Sequence, residues 1–277
     1  MRRLTLVSLV VLAAVAKGGA TPFGLRLRPP AMHVRRPRPA AYMAPARRRR
    51  PPPAKGISGN TCVMASCIVG YGLQMALGES FTLRFLKDNS KIFNGETYRL
   101  VTPVFLHADP THLLFNAMSL RNIGPEVERW FGRDRFLLTF LAGGVAGNLA
   151  SLYFTPGMGL GASGGVLGLT GALGVFFYRH KNVLNGADRA MDSIGRSLFL
   201  NIVVQSMVGP RNIDNFAHMG GVAGGAAMAY MFGPRYRVSL NPITGRAYIT
   251  DRPIVDPKRT LARMRGRSHA RVLQQAT

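Results

Sequence analysis

Ser163, His218, His112 and Asn116 are the residues of this chain whose types and surroundings permit covalent chemistry. They lie in three stretches, 111–116, 161–165 and 214–221, each opening an apolar segment, where nucleophilic and ionisable groups are costly to keep. A hydroxyl within about 3 Å of an imidazole can pass its proton to the ring as it attacks a carbonyl. Ser163 is then a nucleophile and His218 its base. His112 and Asn116, four apart, share one face of a helix. Both can donate hydrogen bonds to an oxygen that gains negative charge in acyl transfer, and one such donor is worth about 2.7–4 kcal/mol of barrier lowering. The N–H of Ser163, near a helix start, is a further donor.

These groups need elements that bring them together. Six apolar segments run at about 61–78, 111–125, 136–154, 161–178, 197–209 and 215–232. Several fall short of the roughly 20 residues of a full span, so they are expected to tilt or to be extended by flanking turns. With the amino end inside, the inside loops and both ends are basic, whereas the outside loop 79–110 has four basic and four acidic residues; that asymmetry fits six spans. Segments two, four and six then run from outside to inside, and the four reactive side chains gather near one leaflet. Gly164 and Gly168 in segment four, and Gly221 and Gly225 in segment six, are spaced so that two helix axes can approach closely. Asp214, four residues before His218, is expected to cap segment six.

Composition narrows the function classes. Of 277 residues, 17% are charged and 47% hydrophobic, against about 25% charged in a soluble domain. The net charge of +24 sits at the two ends: residues 1–59 hold 13 Lys and Arg and no acid, and residues 233–277 hold 10 against two acids. Basic ends beside a membrane core reflect topology and anionic lipid, and without zinc spacing or an RNP pattern no nucleic-acid partner is expected. His112 and His218 lack a third ligand, so neither a metal nor a cofactor is expected. Cys62 and Cys67, five apart, do not face each other on a helix and indicate no disulfide. Residues 1–20 have the pattern of a signal peptide. Residues 21–59 are rich in Pro and Arg and cannot bury a core. The division expected is therefore a leader at 1–20, a disordered transit-like stretch at 21–59, a membrane domain at 60–232 and a disordered basic tail at 233–277. Together the first two resemble the bipartite leader of proteins sent to a plastid of secondary origin, with a mitochondrial presequence as the competing reading. Gly161 to Gly165 also fits the soluble hydrolase pattern G-x-S-x-G, but that pattern needs a strand and an acid partner in a suitable place, and the apolar run after Ser163 argues against it.

Taken together, HLLFN at 112–116, Gly124-x3-Glu128-x3-Gly132, GASG at 161–164 and AHMGGVAGG at 217–225 make residues 60–232 resemble the rhomboid intramembrane serine proteases. The resemblance implies an all-α membrane protein, a bundle of six transmembrane helices, with Ser163 and His218 as a dyad and His112 and Asn116 holding the oxyanion. It implies structural roles for Arg99, Glu128, Gly161, Gly164, Gly221 and Gly225. Its implied partners are the lipid bilayer and the transmembrane helix of a membrane-protein substrate, cleaved through an acyl-enzyme; the leader adds the expectation of an organellar inner membrane. Two positions depart from the family pattern: Tyr98 precedes Arg99 where a Trp is usual, and Leu167 stands where many members place a Tyr beneath the base. A noncatalytic member of the same fold that binds membrane helices is the alternative. A small transporter ranks lower, because its polar groups would traverse the bundle.

Overall fold

In a computed structural model of the chain, the residues described are 56–182, 184, 186–199, 213–240 and 247–255. The leader, the transit-like stretch up to residue 55, most of segment five and the last part of the tail lie outside them. Eight α-helices are described: α1 (Gly59–Leu77), α2 (Glu79–Phe85), α3 (Asn89–Phe93), α4 (Pro110–Phe131), α5 (Arg133–Phe154), α6 (Ser163–His180), α7 (Ala187–Phe199) and α8 (Asn215–Phe232). Two small antiparallel pairs join them. Strand β1 (Lys87–Asp88) pairs with β2 (Met158–Gly159), Lys87 opposite Gly159, and β3 (Tyr236–Leu240) pairs with β4 (Ala247–Asp251). The protein is thus an all-α bundle with two short antiparallel strand pairs, one linking distant segments and one a local hairpin. Helices α1 and α5 are each long and apolar enough to cross a membrane; α6 and α8 have 18 residues each, and α8 is diluted by glycine and a polar first turn.

Local chemistry sets the helix starts. Asp109 accepts from the N–H groups of Thr111 and His112, and Pro110 fills the first position of α4, where its missing N–H costs nothing. Ser58 caps α1 through the N–H of Thr61. The Glu128 carboxylate reaches from α4 to the same helix end and accepts from Gly59 N at 2.6 Å and Asn60 N at 3.0 Å, a negative charge set against the positive end of α1. Gly132, at φ 77°, ends α4 and admits the turn into α5.

The core lies where α4, α5 and α6 meet, around Leu120, Phe136, Phe140, Leu169, Leu173, Phe176 and Phe177, all fully or almost fully buried. Beside it α6 and α8 pack backbone against backbone. A Cβ on Gly225 would collide with the Gly168 carbonyl, one on Gly221 with the Gly164 carbonyl, and one on Gly168 would sit 2.8 Å from the Gly143 Cα of α5.

Three stretches differ from the expectations set out above. Helix α4 continues past 125 to Phe131, carrying Glu128 on its last turns and keeping Pro125 inside. The loop expected at 179–196 is in large part helical, because α7 starts at Ala187 and buries Ala187, Ala190 and Ile194. The first part of the tail, within a stretch expected to be disordered, forms the β3–β4 hairpin, which docks on the bundle. Tyr236 N donates to His180 Nε2 at 2.9 Å, the Tyr236 hydroxyl donates to the Trp130 carbonyl at 2.8 Å, and Arg135 pairs with Asp251 at 2.5 Å. The two strands hydrogen-bond to each other along their length, and Tyr236 packs against Trp130, Phe176 and His180 at the ends of α4 and α6, which outweighs the basic composition.

Candidate active site

Ser163 is the first residue of α6 and His218 lies in the first turn of α8. Their side chains meet: Ser163 Oγ is 3.0 Å from His218 Nε2. In the tautomer with its proton on Nδ1, His218 accepts the hydroxyl proton at Nε2. The glycine contacts between α6 and α8 make this distance possible, since Gly164 directly follows Ser163 and Gly221, which packs on the Gly164 carbonyl, lies one turn after His218. His218 is buried and Ser163 half-buried. Among the described residues Nδ1 of His218 has no hydrogen-bond partner. Asp214 does not supply one; its carboxylate caps α8 through Ala217 N at 2.9 Å.

Before Ser163 the chain is held from two sides. Gly161 N donates to the Pro103 carbonyl at 2.9 Å, and the His112 ring lies against Gly161, where a Cβ would stand 2.7 Å from Cε1 and 2.9 Å from Nε2. Gly161 also has φ +134°, a region that other residues rarely enter. The N–H of Ala108 donates to His112 Nδ1 at 3.4 Å, an arrangement that leaves the proton on Nε2, the atom facing Gly161. Asn116 is buried one turn below, with its amide donating to the His112 carbonyl at 3.0 Å and a second amide hydrogen to spare. Ser163 N–H, at the helix start, has no acceptor one turn earlier in its own helix. The geometry thus sets the Ser163 hydroxyl of α6 against the His218 imidazole of α8, with the His112 ring of α4 against the residues that lead into Ser163.

Arg99 and Glu128 sit away from these groups. Arg99 is 2% exposed and ties the segment between α1 and α4 together, through Glu96 at 2.7 Å and the carbonyls of Leu83 and Leu86. Its neighbour Tyr98 hydrogen-bonds Glu96 at 2.6 Å. Leu167 is buried in the body of α6. Cys62 and Cys67 are both free thiols in α1.

Some residues near the site were not picked out from the sequence. His107 is fully buried, and its ring meets that of His112 edge-on at 5.2 Å. Burial, and then the neighbouring His112, push its pKa down to about 4, so it stays neutral. Lys87 and Ser151, also buried, join Asp214 beside the starts of both α6 and α8. The spacing of His107 and His112 was a visible hint; that of Lys87 and Ser151, 64 residues apart, was not.

The Rhomboid domain model matches residues 94–235, just over half of the chain and all of the candidate site. This chain belongs to the rhomboid family. Over 149 residues the rhomboid is 38% identical to the rhomboid protease GluP of Bacillus subtilis, covering 53% of this chain and 28% of that protein. It is 37% identical over 145 residues to the putative rhomboid protease YdcA of the same organism, 52% of this chain and 71% of the relative. RHOMBOID-like protein 9, chloroplastic, of Arabidopsis thaliana is 31% identical over 154 residues, 53% of this chain and 34% of that one. The chain therefore spans only about a third or less of two of these relatives. The chloroplastic relative is no more similar to this rhomboid than the bacterial ones, so similarity does not single out a plastid.

Proposed function

We propose that this rhomboid is an intramembrane serine endopeptidase that cuts transmembrane segments of membrane proteins through an acyl-enzyme. The observation that carries this is the 3.0 Å contact between Ser163 Oγ and His218 Nε2, made by two helices whose glycines let them touch. In the reaction a substrate helix unwinds locally, and Ser163 Oγ attacks its peptide carbonyl while His218 Nε2 takes the hydroxyl proton. The carbonyl oxygen becomes an oxyanion, held by His112 Nε2–H, the Asn116 amide and Ser163 N–H. Protonated His218 gives its proton to the leaving amine as the C–N bond breaks. Water then attacks the ester as His218 takes its proton, and the C–O bond to Ser163 breaks as His218 returns that proton to Ser163 Oγ, releasing a carboxylic acid as the second product. An open cavity of about 470 Å³, lined among others by Tyr71, Gln74, Thr82, His107 and Leu160, offers water a route toward the residues just ahead of Ser163.

The wider reading completes this picture. Six helices span the bilayer with both ends inside, the membrane domain being 60–232, and the basic ends face anionic lipid. The charge pattern of the loops supports that topology, and α1 and α5 supply two of the six spans. Residues 1–59 direct the protein to an organellar inner membrane, a plastid or else a mitochondrion. Reconstituted with a reporter transmembrane helix, wild-type protein is expected to cleave it, and Ser163→Ala and His218→Ala to lose cleavage while keeping the helical circular-dichroism signal. Unchanged cleavage by folded Ser163→Ala removes the assignment.

A further inference from the structure

Behind the two reactive residues runs a buried polar chain. The Lys87 ammonium, on β1, donates to the Ser151 hydroxyl of α5, and that hydroxyl donates to Asp214 Oδ2. The other Asp214 oxygen accepts from Thr155 Oγ1 at 3.0 Å and from Ala217 N at 2.9 Å. Lys87 is 1% exposed and Ser151 0%. Burying an ammonium without compensation is expensive, and burial does push its pKa down, while the charge of Asp214 pulls it back up.

The location of this chain matters more than its strength. Lys87 pairs with Gly159, four residues ahead of Ser163, and its aliphatic stem passes beneath that glycine: a Cβ there would meet Lys87 Cδ at 3.8 Å and Asp214 Oδ2 at 4.0 Å. Asp214 stands four residues ahead of His218, and its carbonyl accepts His218 N at 3.1 Å. One lysine thus touches the lead-in to the nucleophile and, through one hydroxyl, the cap of the helix that carries the base.

We propose that Lys87, Ser151 and Asp214 are positioning residues that set the starts of α6 and α8 against each other so that Ser163 and His218 stay within hydrogen-bonding reach. This rests on the dyad reading above. Lys87 acts from 76 positions upstream of Ser163, on an element that contributes no reacting group. The pair of charges is what does the holding. Removing the Asp214 charge leaves the buried Lys87 ammonium without its counter-charge, and removing Lys87 leaves the half-buried carboxylate without its cation, each of which is worse than removing both.

The test uses full-length protein in liposomes, the same reporter helix, and three variants: Lys87→Met, Asp214→Asn and the double variant. Asn keeps a cap oxygen on α8 but not the charge. Each single variant is expected to lose kcat by roughly ten- to hundredfold, the scale on which displacements of up to 1 Å act, with KM within about twofold. The double variant is expected to turn over faster than either single one. Unchanged kcat in both single variants, with only the melting temperature moved, overturns the proposal and leaves these residues purely structural. So does a double variant that is as slow as the product of the two single losses. If Lys87→Met does not fold, the comparison of the double variant with Asp214→Asn decides: faster supports the proposal, equal or slower overturns it. Ser163→Ala is run alongside; if it still cleaves, the dyad reading fails, an outcome separate from any result at Lys87.

Discussion

The demand on Gly161 is twofold, since its backbone sits at φ +134° and the His112 ring occupies the place of a side chain. Gly161→Ala should therefore strain the lead-in to Ser163 and displace His112, a proposed oxyanion donor. The expected result is a fall in kcat of about 10²–10³, the usual cost of one such donor, measured on the reporter helix with folding checked by circular dichroism. Retention of full activity would show that His112 does not depend on this contact. Ser163, His218, His112 and Asn116 could be picked out from the sequence because each is a polar residue where apolar ones are expected, and because the spacing of glycines suggested which helices meet. Lys87 and Ser151 could not. A lysine in a loop of balanced charge and a serine in a glycine-rich helix look like ordinary solvated and packing residues until the chain is folded.

Helices here are joined at their ends by polar groups and along their lengths by glycine. Glu128 illustrates the first: from the last turns of α4 it closes the amino end of α1 by two hydrogen bonds from Gly59 and Asn60. Glu128→Ala is expected to destabilise the bundle by about 1.5–3 kcal/mol, the range for hydrogen bonds to a charged group, read as a lower melting temperature in detergent. The dyad should survive in the protein that remains folded, because neither α1 nor the end of α4 carries Ser163 or His218. An unchanged melting temperature would mean that water replaces the carboxylate without loss. The extent of α4 was underestimated from the sequence because Arg121, Glu126, Glu128 and Arg129 break the apolar run, although their helical propensity carries the helix on to Phe131. Similarly α7 has too polar an outer face to register as an apolar segment, yet it buries a stripe of Ala187, Ala190 and Ile194.

As a whole, the molecule places its reactive groups at the starts of three helices, α4, α6 and α8, which all begin at the same end of the bundle as β1 and β2. The opposite end is closed by the β3–β4 hairpin on His180, Trp130 and Arg135. Alternation in residues 236–240 was present in the sequence, but 247–251 lacks it and the abundance of arginine around both resembled a solvated tail more than a strand pair. The central claim is that Ser163 is a nucleophile made reactive by His218 within this bundle. It is tested most directly by treating the purified, membrane-embedded protein with a serine-directed fluorophosphonate and mapping the adduct by peptide mass spectrometry. One phosphonyl group on Ser163, lost in His218→Ala while the helical content is retained, is the predicted result. An unmodified Ser163 in a protein that cleaves the reporter, or equal modification with and without His218, would contradict it.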